Sequence, residues 1–272
     1  MEKSEYYEAV GKFRLMDDTF MCVFFNGSNE TAQFVLRIIL DRSDLEVTEV
    51  TVQDEIKNIY GHSLRLDILA HDSTGKVYNI EVQRAAEGAD PHRARFHSSM
   101  LDTRLLSKNQ KFKTLADSYI IFITETDVLG GGLPLYEIER KIIQTDSFFN
   151  DGTHIIYVNS EINTEQTPLS ELMHDFRCAD AAEMHFSQLS ERMKYFKENE
   201  EGRGIMCEIM ERLNEKARAE GRAEGRAEGE YAKAAAVALS MISDGVLSQD
   251  KIAVYSGLSL AEVRKLAETG RA

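Results

Sequence analysis

The sequence predicts an α/β fold in which the elements run αβββαβ around a mixed β-sheet, followed by a helical C-terminal extension. Three observations predict it. Two runs of alternating apolar and polar residues, 64–71 and 77–83, flank Ser73-Thr74-Gly75, the pattern of a β-hairpin. A helix-period stretch opening at Pro91 then leads into a continuous β-rich run, Tyr119 to Thr124, as a helical crossover into a central strand requires. From Pro168 onward the apolar spacing turns helical.

The first elements follow from local signals. Phe20 to Phe25 is apolar, and Asn26-Gly27-Ser28-Asn29 supplies a turn with capping side chains. A helix should follow from about Glu30 to Leu40, burying Phe34, Val35, Ile38 and Ile39. Glu46 to Asp54 alternates as a strand and precedes the hairpin. Beyond it, Ala85 to Asp90 forms a loop, and Pro91 suits the first position of a helix running to about Ser107. At 100° per residue, Arg93, His97, Arg104 and Lys108 fall in a sector of about 60° and form one basic stripe.

Gly130-Gly131-Gly132 lacks a following Lys-Ser or Lys-Thr and reads as a loop, not a nucleotide cradle. His154 to Val158 gives a further strand. Between Pro168 and Asn199, Leu169, Leu172, Met173 and Phe176 are spaced as a buried helical stripe. Arg-Ala-Glu-Gly then repeats from Arg218 to Gly229, where three glycines at about 1 kcal/mol each oppose the helix that Ala, Glu and Arg favour. The repeat reads as a marginal helix or spacer. Tyr231 to Ser243 is an Ala-rich helix, and Gln249 to Glu268 carries a helix-turn-helix pattern with its turn at Gly257. Because Arg264 and Lys265 sit beside Glu262 and Glu268, that pattern fits a protein-docking module and a DNA reader equally. The expected organisation is a main domain over 1–199, a low-complexity helical linker over 200–231 and a small module over 232–272, with any homo-oligomer formed through the C-terminal helices.

Composition narrows the partners. Across 272 residues, 32 Lys and Arg against 46 Asp and Glu give −14, which excludes a chain that coats nucleic acid through its overall field. Contact with nucleic acid must be local. From Arg84 to Lys113 there are seven Lys or Arg against three acids, a basic island beside the hairpin that favours a phosphate-bearing partner, DNA. The odd cysteine count, Cys22, Cys178 and Cys207, matches no disulfide or zinc framework and suits a reducing cytosol. With neither an apolar h-region at the start nor 18 apolar residues in a row, a cytoplasmic protein with no membrane span is expected.

The hairpin carries two carboxylates. With its turn centred on Thr74, Asp67 sits directly across from Glu81, with Cβ atoms roughly 5 Å apart. Like charges so close repel, and a divalent cation between hard carboxylate oxygens would relieve them. The spacing also fits two solvated charges on the open face of an edge hairpin. Other chemistries find less support: the seven histidines show no His-x-x-x-His spacing, and no serine sits in a nucleophile elbow.

Asp67 followed by Glu81-Val82-Gln83 stands between Met16-Asp17-Asp18-Thr19-Phe20-Met21 upstream and Arg93-Ala94-Arg95-Phe96-His97 downstream, with Tyr119 to Ile123 and Asp151-Gly152-Thr153 beyond. In this order the pieces resemble the PD-(D/E)XK nuclease superfamily, and within it the Rpn group of recombination-promoting nucleases and transposases, over roughly 15 to 200. The resemblance implies a restriction-endonuclease-like fold. It also implies a Mg²⁺-dependent DNA endonuclease, with Mn²⁺ as an alternative ion, tied to recombination or a mobile element. Asp67, Glu81 and the backbone carbonyl of Val82 would be the metal ligands, joined by Asp18 from the first helix, and Arg93, His97, Arg104 and Lys108 would face DNA. Gln83 stands where many superfamily members carry Lys. Gln orients a water but has no charge and cannot act as a base, which leaves a catalytically silent DNA- or protein-binding adaptor as the alternative.

Overall fold

In the computed structural model, residues 3–57, 62–161 and 166–269 are described. They form two compact units, Met1–Cys207 and Glu208–Ala272. The first unit opens with three helices, α1 (Lys3–Lys12), α2 (Asp18–Phe25) and α3 (Asn29–Ile39). The apolar run Phe20 to Phe25 is helical and nearly all buried. Ser28 caps α3 by accepting from Thr31 N at 3.3 Å.

The buried face of α3 is turned from the expected one. Thr31, Ala32, Val35, Leu36 and Ile39 are buried, whereas Phe34 and Ile38 are only half-buried. Two polar contacts set the rotation: Asn29 Nδ2 donates to Thr48 O at 2.8 Å, and Val47 N donates to Gln33 Oε1 at 2.9 Å. Phe34 instead meets Phe186 edge-on, with centroids 5.0 Å apart.

The strands are β1 (Val47–Ile56), β2 (Leu64–Asp72), β3 (Val77–Gln83), β4 (Ser118–Thr124), β5 (Leu135–Ile138), β6 (Lys141–Ile142), β7 (Ser147–Phe148) and β8 (Thr153–Asn159). Six of them make one mixed sheet in the order β1-β2-β3-β4-β8-β5; β6 and β7 pair separately. β1, β2 and β3 are antiparallel, β3, β4 and β8 run parallel, and β5 returns antiparallel to β8. The parallel β3 to β4 link crosses over through α4 (Pro91–Leu105), so the αβββαβ order holds. The hairpin is therefore central, not an edge, and every residue of β3 but Gln83 is buried, as the inner strand of such a sheet should be.

The β2–β3 turn is locked by Asp72. Its Oδ1 accepts from Thr74 N at 2.9 Å, Thr74 Oγ1 at 2.8 Å and Lys76 N at 2.9 Å, and its Oδ2 accepts from Tyr78 OH at 2.8 Å. Burial would raise this carboxyl, but the donors from Thr74, Tyr78 and Lys76 prevail and hold it below its ordinary range. Gly75 completes the turn at φ 87°, where a side chain would be strained.

Helix α4 begins where Asp90 Oδ1 caps His92 N at 2.7 Å, with Pro91 in the first turn. It ends at Leu105 because Leu106 is extended, two residues earlier than the expected boundary. The unit continues through α5 (Pro168–Arg177) and α6 (Ser187–Glu198), with Leu172, Met173 and Phe176 buried and Leu169 half-buried. A single helix, α7, runs from Glu200 to Asp244 through the Arg-Ala-Glu-Gly repeat, which thus takes the helical one of its two expected forms. In the second unit, Ala238, Ile252, Leu258 and Val263 form a core among α7, α8 (Gln249–Ser256) and α9 (Leu260–Thr269), and Gly257 ends α8 at φ 76°. Among the described residues, no helix is long and apolar enough to cross a membrane.

Candidate metal centre and nucleic-acid cleft

The β2–β3 register runs from His71↔Val77 to Ile68↔Ile80. One step further along it, Asp67 meets Glu81, and the carboxylates take over the ladder. Asp67 N donates to Glu81 Oε1 at 3.1 Å, and Val82 N donates to Asp67 Oδ2 at 3.3 Å. Each side chain is thereby fixed by backbone of the opposite strand, so the two acids cannot swing apart to relieve their repulsion. The expected juxtaposition is present, but not on an open face: Asp67 is 7% exposed and Glu81 0%.

Burial sets the electrostatics. It raises Asp67 to about 6, helped by the Asp18 charge and opposed by the Val82 amide. Burial and then Asp67 push Glu81 well above its ordinary value. Glu81 Oε2 is buried without a hydrogen-bond partner. A charged oxygen so placed calls for a cation. The donor set is all carboxylate oxygen, the kind that hard divalent ions prefer, so the residues fit the metal site that the sequence implies. Asp18, in the first turn of α2, lines the same cleft, near Arg65 at 3.9 Å.

His97 is not a surface cation. It is 0% exposed, with Nδ1 3.2 Å from Asn79 Nδ2 and 3.5 Å from Glu81 Oε1. Burial, then the nearby Arg93 charge, lowers it to about 4, so the ring is neutral at pH 7. It also meets Phe122 edge-on at 5.5 Å. α4 is only weakly amphipathic, so the sequence does not reveal which face meets the sheet; Ala94, Met100 and Leu101 turn inward and carry His97 with them.

The expected basic stripe is therefore broken. Arg93 stays exposed and lines the cleft. Arg104 is exposed but pairs with Asp54 of β1. Lys108 lies past the helix end, where the 100° rule no longer applies. Two arginines outside the expected set line the cleft instead, Arg65 and Arg84. Arg84 is held by Asp17 at 2.8 Å and Glu125 at 3.1 Å, and Glu125 also binds Arg14 at 2.9 Å. The cleft measures about 630 Å³ and opens over Asp67, Val82 and Gln83.

Gln83 stands half-buried at the end of β3. A Cβ placed on Gly88 would fall 2.1 Å from Gln83 Oε1 and 3.0 Å from its Cδ. Gly88 thus leaves the space that the carboxamide fills. No sequence signal marked this, because the turn at 86–89 brings Gly88 back over β3. Asp72 and Asn79 likewise carry no sequence signal of their roles: one sets the register that aligns the acids, and the other contacts His97 beside Glu81.

A family model described as PD-(D/E)XK nuclease family transposase matches residues 14–173, spanning α2, the whole sheet and part of α5. No curated protein and no solved structure matches the chain.

Proposed function

The chain belongs to the PD-(D/E)XK nuclease family of transposases, and on that premise we propose that it is a DNA endonuclease that hydrolyses phosphodiester bonds with Mg²⁺, or Mn²⁺ in its place. The observation that carries this is the backbone-locked pair Asp67 and Glu81, with Glu81 Oε2 buried and unpartnered behind a cleft that Asp67 lines.

In this reading Asp67, Glu81 and the carbonyl of Val82 hold the ion, with Asp18 close enough to the cleft to join through water. A divalent ion held there supplies Lewis acidity to a scissile phosphate and lowers the pKa of an attacking water. The protein's own groups do the rest. Val82 N and Asp67 N hold the two carboxylates in one arrangement before substrate arrives, and neutral His97 walls off Glu81 from water. Gln83 orients the water through its carboxamide without taking its proton. Arg93, Arg65 and Arg84 face the phosphates, Arg84 pre-oriented by Asp17 and Glu125. Membership of a transposase family supports an association with recombination or a mobile element.

Gln83 in the place of a superfamily Lys favours a second reading, an adaptor that retains the fold and binds DNA or protein without cleaving. Plasmid nicking with and without Mg²⁺, for the parent and Asp67→Asn, separates the two. Mg²⁺-dependent nicking lost in Asp67→Asn supports the nuclease; no nicking with intact DNA binding supports the adaptor.

A further inference from the structure

Three metal-ligating side chains converge where α5 gives way to α6, in residues that line no part of the cleft. His174 and Asp175 lie in the last turn of α5, and His185 precedes α6. One ligand atom from each lies within 4.8 Å of the others. His174 Nδ1 is 3.3 Å from Asp175 Oδ1, close to the separation of about 3.4 Å that two ligands keep on a tetrahedral ion bound at about 2.1 Å. The two imidazoles pack edge to face with centroids 4.5 Å apart.

The carboxylate is held in advance. Asp175 is 0% exposed, and its Oδ1 accepts from His185 N at 2.7 Å while its Oδ2 accepts from Phe186 N at 2.9 Å. The same side chain that would ligate an ion therefore folds the His185 segment onto the end of α5. Each carboxylate oxygen can accept again. Among the described ion pairs, the one partner of this buried carboxyl is His174, and none is a Lys or Arg. His174 is half-exposed and His185 exposed, which leaves the imidazoles a path to solvent, room to close on an ion, and space for a water as fourth ligand.

We propose that His174, Asp175 and His185 form a Zn²⁺ site that ties α5 to α6. Two imidazoles and one carboxylate suit a borderline-soft, four-coordinate ion, whereas the all-oxygen pair Asp67 and Glu81 suits Mg²⁺. The two centres would select different metals by donor type. Zn²⁺ bound here fixes the connection between the helices and stabilises the first unit by mass action.

The test is calorimetric titration of Zn²⁺ into untagged, metal-free full-length protein, with scanning calorimetry alongside. The expected result is one Zn²⁺ per chain and a higher midpoint for the first unit. An Asp67→Asn, Glu81→Gln variant should keep both, and a His174→Ala, His185→Ala variant should bind Zn²⁺ at least about tenfold more weakly. His185→Gln, altering an exposed side chain only, repeats the test if the double variant folds poorly. Co²⁺ should give the visible absorption of a tetrahedral site in the parent. Undiminished Zn²⁺ binding in the histidine variants, or parent protein that binds no Zn²⁺ and shows no tetrahedral Co²⁺ spectrum, overturns the proposal.

Discussion

Asp67 and Glu81 are bound to each other's strands: Asp67 N donates to the Glu81 carboxylate at 3.1 Å, while the Asp67 carboxylate accepts from Val82 N at 3.3 Å. Two acids are thus held side by side in a buried setting that opposes their ionisation, and a cation would favour their charged forms.

Replacing either acid by its amide should therefore separate function from stability. Asp67→Asn and Glu81→Gln keep an oxygen for the same backbone donors but remove the charge. Each should abolish Mg²⁺-dependent nicking yet stabilise the metal-free chain at pH 7, Asp67→Asn by about 1–3 kcal/mol. The sign follows from Asp67, raised from 3.8 to about 6: between these values the folded state binds more protons than the unfolded, so stability falls as pH rises through that window. Urea melts in EDTA from pH 4 to 8 should show this slope in the parent and a shallower one in Asp67→Asn. Equal slopes would mean that the pair is not strained.

Gly88→Ala should reproduce Gln83→Ala. The added methyl group would occupy the place of Gln83 Oε1 and displace a side chain, not backbone. Both variants should lower nicking by about 10² to 10³, the scale of one lost orienting hydrogen bond, with circular dichroism unchanged. Gln83→Lys should keep or raise the rate. Full activity in Gly88→Ala would remove Gln83 from the reaction.

Arg93→Ala should weaken DNA binding and reduce the salt slope by about one unit, since this exposed arginine lines the cleft. Arg104→Ala should do less, because Arg104 is engaged by Asp54. Anisotropy titrations between about 50 and 200 mM salt measure both. The reverse ranking would move the DNA path from the cleft to the β1 side of α4.

The glycines of the repeat should be removable. A Cβ at Gly221, Gly225 or Gly229 meets no described atom within 4 Å, so the triple Gly→Ala variant should add helix stability, about 1 kcal/mol per site. Thermal melts read the gain, and light scattering reads the assembly. If the parent self-associates, loss of that assembly in the variant would instead show that a second copy packs on the glycine face.

A chain ending at Glu211 should retain nicking, and one ending at Asn199 should be less stable. Met206 and Cys207 are buried within the first unit, so the shorter cut opens its core. Equal melting of the two truncations would show that these residues contribute nothing to it.

The sequence by itself determined the αβββαβ order of the core, its mixed sheet and the alignment of Asp67 with Glu81, but not α1 or the strands β5 to β7. Strand alternation has a period of two, and the Ser-Thr-Gly turn fixes the centre of the hairpin, so register follows by counting. Only the tertiary structure decided what surrounds that pair. Helical periodicity tells which residues share a side but not which side meets the sheet, and α4 is too evenly mixed for its composition to choose. Packing chose, turning His97 inward against Asn79 and Glu81 and leaving Arg93 at the cleft. The same limit explains Phe34, turned aside because Asn29 and Gln33 bind β1, and Gly88, whose need for hydrogen in place of a side chain arises from a chain segment returning over Gln83.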